Sequence, residues 1–216
     1  MAQFWNQVLL ISRGLGTTVG LFALTLLFSM PLGMGIAFGR MSKIAPVRWF
    51  FQLYISVLRG TPLMLQLLIV YFGPPLLLGP SFSYNNFIAA VIAFTLNYAA
   101  YFAEIYRGGI ESIADGQREA AAVLGLSRNQ TFIRIVLPQV IKRIMSATTN
   151  EIVTLVKDTS LAQVIAVAEI LTLAKQQENF LVSMMPLFIA GVFYYVMNAV
   201  VAFGCGRVEK KLNYYR

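Results

Sequence analysis

Two acidic residues, Glu151 and Asp158, are where a chemical reading of this chain begins. They lie seven apart, two turns of helix, so they share one helix face with Thr154 between them. Ionisable groups within apolar helices are costly and usually face a cavity or a pathway. Carboxylates there could hold an ammonium group or a cationic side chain, and Lys157, next to Asp158, could hold a carboxylate. Asn97, Tyr101 and Glu104 form a second stripe at i, i+4 and i+7. Two such stripes face to face predict a polar passage, with Gln66 and Arg59 as further lining candidates. The structural alternative pairs Glu104 with Arg107 and Asp158 with Lys157 or a helix end, and makes Arg59 an interfacial anchor. This is binding chemistry rather than catalysis. The chain has no histidine and one cysteine, Cys205, which excludes His-based catalysis, His-metal sites and an internal disulfide. No Gly-rich loop ending in Gly-Lys-Ser or Gly-Lys-Thr is present, so nothing here would hydrolyse ATP.

The elements that must carry these residues are membrane spans. Of 216 residues, 58% are hydrophobic and 12% charged, whereas a soluble domain carries about a quarter charged residues. Residues 14–39, 60–103 and 179–206 hold no charge at all. Each run is long enough to cross a hydrocarbon core, which needs about 20 helical residues. The reading is an all-α integral membrane protein of one domain, 1–216, with five spans near 17–38, 61–77, 87–106, 140–156 and 184–203. Pro74, Pro75, Gly79 and Pro80 close the second span. The fourth is the least hydrophobic, and 160–177 is too interrupted to span. Residues 1–11 read as an interfacial lead-in rather than a removable signal peptide. Fourteen of the 17 basic residues, including Arg59 and Arg216, fall on one side of a five-span arrangement. The positive-inside rule then puts the N-terminus outside and the C-terminus inside. The net charge of +8 is spread between apolar runs, which argues against a nucleic-acid partner.

Between spans three and four lies an inner segment, 110–139, far longer than a connection requires. Asp115 reads as a helix N-cap and Gly125 as a helix stop. The two-turn helix between them carries a small apolar face of Ala120, Ala121 and Leu124. A second short helix follows over 126–136, and Pro138 opens the next span. A short capped helix held off the membrane is shaped to dock into another protein, or else to lie on the lipid surface.

Glu119-Ala120-Ala121, three residues, Gly125, nine residues, Ile135, one residue and Leu137-Pro138 match the EAA loop of binding-protein-dependent importer permeases, which this chain resembles at every position of the pattern. Arg59-Gly60-Thr61-Pro62 with Gln66, the run 103–110, and Asn150-Glu151 followed by 157–161 are similar to the polar-amino-acid branch. The likeness extends over about 10–210, with Ile152-Val153-Thr154 as a mild departure. It implies the transmembrane domain of a type I ABC importer in the bacterial cytoplasmic membrane. Asp115, Arg118, Glu119, Ala120, Ala121, Leu124, Gly125, Leu137 and Pro138 would then form a coupling segment. The implied partners are two copies of an ATPase subunit, which bind the ATP and Mg, a second permease chain identical or related, and an extracytoplasmic binding protein. The implied substrate is a polar amino acid, touching Glu151, Asp158, Asn97, Tyr101, Thr154 and Gln66; this chain itself would hold no cofactor or metal. An ion-coupled secondary transporter is the competing reading; it would usually show more spans and internal repeats, and none is evident. A membrane enzyme or scaffold has no catalytic cluster to support it.

Overall fold

Small residues in register let the central helices approach closely. In the computed structural model, which describes residues 2–212, α1 (Ala2–Ser12) turns at Arg13-Gly14 into α2 (Leu15–Arg40). Arg216 of the basic tail lies outside the described residues. Leu21, Thr25, Ser29, Gly33 and Ala37 recur every fourth position of α2 and are all buried. They face α5 (Asn86–Glu111), whose Ala89, Ala90, Ala93, Ala99, Ala100 and Ala103 are buried in turn. At Gly33 a Cβ would lie 2.9 Å from Cβ of Phe102 and 3.0 Å from the Ala99 carbonyl. Only glycine permits that approach, and dispersion contact across it stands in for a hydrophobic drive that lipid cannot supply.

The second expected span begins earlier than Thr61. Residues read as part of the first inner loop form α3 (Ala45–Gly60), and α4 (Leu63–Leu78) follows after a bend of 108°. Pro62 causes the break: it has no N–H to give, and it pushes Thr61 into extended backbone (φ −120°, ψ 149°). Pro74 and Pro75 lie inside α4 rather than after it, and the helix ends at Gly79 with φ 101°.

Three further helices carry the inner segment. These are α6 (Asp115–Val123), the single turn α7 (Arg128–Thr131), and α8 (Leu137–Asp158), which a π-turn over Phe132–Val136 joins to α7 without a gap. Pro138 explains the π-turn, since its missing N–H and its ring disrupt ordinary i→i−4 bonding just upstream. The interrupted stretch at 160–177 does not span. It forms a 3₁₀ turn (Thr159–Ile165) and α9 (Ile170–Leu181), folded in against α4, α1 and α10 (Met185–Leu212). Glu169, fully buried, caps α9 by accepting from the N–H groups of Leu171 and Thr172, and takes the Tyr194 hydroxyl of α10 at 2.6 Å. At Gly14 a Cβ would sit 2.7 Å from this backbone.

Among the described residues, three stretches are long and apolar enough to cross a membrane: Gln3–Arg40, Asn86–Glu111 and Met185–Lys211. The bent pair α3–α4 makes a fourth if counted as one broken span. α8 has the length, at 22 residues, but carries Lys142, Arg143, Glu151, Lys157 and Asp158. The chain is thus an all-helical, multi-pass membrane protein.

Candidate functional site

The break between α3 and α4 organises the centre of the molecule. A continuous helix would satisfy the Leu58 carbonyl with the N–H of residue 62, which proline lacks. Two side chains replace it: Gln66 Nε2 donates to Leu58 O at 2.9 Å and Asn97 Nδ2 donates to the same oxygen at 3.0 Å. Asn97 also donates to Gln66 Oε1 at 3.0 Å, and Gln66 Nε2 lies 2.8 Å from Thr61 Oγ1. Tyr54 adds a further tie, donating to the Leu96 carbonyl at 2.7 Å. Asn97 and Gln66 are buried, and Asn97 Nδ2 and both polar atoms of Gln66 are engaged by the backbone, by Thr61 or by one another. Both were expected to line a passage; their hydrogen bonds tie the broken end of α3 to α4 and α5.

One carboxylate of α8 is tied to α5. Tyr98 of α5, one residue from the expected stripe, donates its hydroxyl to Asp158 Oδ2 at 2.8 Å and so ties α5 to the end of α8. Glu151 and Thr154 are half-buried on the same α8 face. Tyr101 of α5 is half-buried, and Arg59, at the end of α3, stands over its ring with the guanidinium 5.1 Å from the centroid. Arg59 is thus a residue of a helix, α3, rather than of a loop. Glu104 pairs with Arg107, which also pairs with Glu111 on the next turn, as the structural alternative expected. Lys157 is exposed and off the Glu151–Asp158 face.

In the inner segment, Ala114 rather than Asp115 is the N-cap of α6. Asp115 occupies the first turn, where its charge suits the helix N-terminus, and pairs with Arg118 at 3.3 Å. Arg118 also donates to the Ile110 carbonyl at 3.4 Å. Gly125, with φ 76°, ends the helix as expected: its N–H donates to Ala122 O, and that of Leu126 to Ala121 O. This reciprocal pair is the Schellman arrangement, which needs a left-handed residue at that point. The apolar face is divided. Ala121 is buried against the protein, whereas Ala120 and Glu119 are exposed, and Val123 and Leu124 stand out at 89% and 77% exposure. Val123 was missed because periodicity alone grouped Leu124 with the alanines.

α6 is braced rather than free. Ile110, Ile113, Val136 and Val140 form a small buried cluster beneath it, and Arg143 of α8 donates to the Ser112 carbonyl. Gln139 of α8 lies 3.4 Å from Gln117 of α6. Ser127 and Gln130 cap α7 reciprocally. Leu137 and Pro138 form the first turn of α8, so one continuous helical rod runs from the inner segment to Glu151 and Asp158.

Long apolar helices surround a polar break, and a short braced helix stands between α5 and α8. The family model described as "Binding-protein-dependent transport system inner membrane component" matches residues 29–214, and the chain belongs to that family. It is a permease subunit of an ABC transporter and not itself an enzyme. The chain is 40% identical over 210 residues to the arginine transport system permease protein ArtQ of Bacillus subtilis (95% of this chain, 94% of that one). It is 40% identical over 175 residues to the L-cystine transport system permease protein TcyB of the same organism (80% and 71%). A solved amino acid ABC transporter with histidines superposes with a TM-score of 0.85 at 32% identity, covering 94% of each chain. The MetNI methionine ABC transporter, at 16% identity and TM-score 0.76 over 99% of each, shares the fold.

Proposed function

We propose that this chain is the membrane subunit of an ATP-driven importer that moves polar amino acids into the bacterial cytoplasm. The chain takes substrate from an extracytoplasmic binding protein and energy from two copies of a separate ATPase subunit, and pairs with a second permease chain. α3–α4 counts as one broken span and α8 as another, which gives five, with the N-terminus outside and α6 in the cytoplasm. The observation that carries this reading is the α6–α8 connection. Val123 and Leu124 project outward, Ala121 and the cluster at Ile113 and Val136 hold the helix in place, and the rod into α8 ends at the carboxylates. A push on α6 therefore has only the short turn at 124–127 to cross before unbroken helix leads to Glu151 and Asp158. The passage is lined by Glu151, Thr154, Asp158 and Tyr101; Asn97 and Gln66 support it by fixing the break. The arginine and L-cystine systems named for two of its relatives both carry amino acids, which supports that substrate class.

Cysteine crosslinking tests the docking role. A cysteine at Leu124 should form a disulfide with a cysteine in the groove of the co-expressed ATPase, with a yield that changes on adding ATP. A position-124 cysteine that stays accessible to a bulky maleimide throughout turnover excludes docking.

A further inference from the structure

Beside α6 runs a groove whose lining does not include the projecting Val123 and Leu124. It is a cavity of about 420 Å³ where α6 meets α7 and the π-turn. Arg118, Ala122 and Leu126 line one side, and Arg128, Phe132 and Val136 the other. Val136 is buried and Phe132 half-buried, whereas both arginines are exposed. The groove is therefore apolar at depth and basic at its mouth. Neither arginine is firmly committed. Arg128 has no hydrogen bond or ion pair among the described residues. Arg118 reaches Asp115 at 3.3 Å and the Ile110 carbonyl at 3.4 Å, both at or beyond the long end of hydrogen bonding. Exposed pairs of this kind contribute little, so an anion can displace them.

Phe132 ties the groove to the end of a membrane-length helix. Its ring meets that of Phe38 edge-on at 6.0 Å, and Met41 packs on the same cluster of Ile113, Val136 and Val140. Phe38 stands two residues before the last residue of α2, Arg40, and is exposed. The apolar depth of the groove thus continues onto the lipid-facing end of α2. Two guanidinium groups at the mouth suit a phosphate, whose several oxygens accept charge-assisted bonds from both. A soluble anion would use the arginines and leave the rings uncovered. A phospholipid uses both, with its phosphate at the mouth and its first methylenes on Phe132 and Phe38.

We propose that this groove binds the headgroup of an anionic phospholipid of the cytoplasmic leaflet, its phosphate held between Arg118 and Arg128. This rests on the functional reading above only in placing α6 on the cytoplasmic side. The bound headgroup bridges the turn at 124–127, the one step between α6 and α8 that is not helical. It ties α6 to the start of the rod, so anionic lipid stiffens the connection through which α6 acts on α8.

The test titrates the purified permease–ATPase complex in detergent with phosphatidylglycerol or with phosphatidylcholine of the same acyl chains, and native mass spectrometry counts the bound lipid. The wild type should hold phosphatidylglycerol at least tenfold more tightly. Arg128→Gln breaks no contact within the fold and should weaken that binding about fivefold. The double variant Arg118→Gln, Arg128→Gln should bring it down to the level of phosphatidylcholine. Arg134→Gln, which removes an exposed charge of the same segment outside the groove, should change it by less than about twofold. Phosphatidylglycerol should also raise ATP hydrolysis by the complex in nanodiscs severalfold, and the double variant should lose that rise. Equal affinity for the two lipids, or an Arg128→Gln no weaker than Arg134→Gln, overturns the site. So does displacement of the lipid by millimolar glycerol 3-phosphate, which would mark a site for soluble anions. Binding to the permease chain alone but not to the complex would give the groove to the ATPase and overturn it equally. A rise in hydrolysis kept in full by the double variant overturns the bridging role. Uptake that ignores ATP would defeat the functional reading and leave the lipid preference standing.

Discussion

Replacing Asn97 by alanine removes both donations from Nδ2, to Leu58 O and to Gln66 Oε1, each at 3.0 Å. Leu58 O keeps its bond from Gln66 at 2.9 Å, whereas Gln66 Oε1 loses its Asn97 donor in a buried setting. Side-chain hydrogen bonds between membrane helices average about 0.6 kcal/mol and reach about 1.7. An orphaned buried acceptor adds about 1–3 kcal/mol. The expected cost of Asn97→Ala is therefore about 2 kcal/mol. Gln66→Leu removes the other half of the clamp and should cost about 3 kcal/mol by the same reasoning. Because the two share a bond and an acceptor, the double variant should fall short of additivity by about 1 kcal/mol. Reversible unfolding in mixed micelles gives these values, with exposed Trp49 on the neighbouring α3 as a fluorescent reporter. Costs below 0.5 kcal/mol with additive behaviour would show that the pair does not hold the break.

Other consequences follow from particular contacts. Leu124→Ser changes a side chain that is 77% exposed, so unfolding of the isolated chain should shift by less than about 0.5 kcal/mol. Pull-down of the ATPase should nevertheless fall severalfold. Gly125→Ala meets no neighbour within 4 Å but must adopt φ 76°, at a cost of about 1–2 kcal/mol. Gly125→Asn should recover much of this, which a thermal melt of the pair resolves. Gly33→Leu forces α2 away from Phe102 and Ala99, and overpacking of this kind costs about 1–3 kcal/mol, read as lower yield of folded protein on gel filtration. Asp158→Asn should weaken amino-acid binding to the assembled complex in a filter assay, and unchanged binding would make the Tyr98–Asp158 bond purely structural.

Much of the architecture was legible because apolar runs are long and helix punctuation is local. Gly125 announced a left-handed stop, and the expected 87–106 span lies within α5. The broken span was not legible. Arg48 and Arg59 made 45–60 look like a loop, although the whole stretch, both arginines included, forms a helix whose Ile55 is buried. Only the consequence of Pro62 for the Leu58 carbonyl, a tertiary matter, reveals why Gln66 and Asn97 are polar. Sequence spacing put Asn97 and Tyr101 on one stripe but gave no means to single out Tyr98, whose partner lies 60 residues away. Glu169 was hidden for the same reason: its role as cap and as acceptor from Tyr194 joins two segments that spacing cannot relate. The divided face of α6 shows the limit of helical periodicity. It groups residues by angle and does not say which side the rest of the protein covers.

The central claim, that ATP hydrolysed on a partner drives substrate past this chain, is tested most directly in proteoliposomes holding the permease–ATPase complex, with binding protein loaded with labelled amino acid on the substrate side. With ionophores collapsing every ion gradient, uptake should continue when ATP is supplied and stop when it is withheld. Uptake that ceases with the ionophores while ATP remains, or that proceeds on an ion gradient alone, would contradict the account.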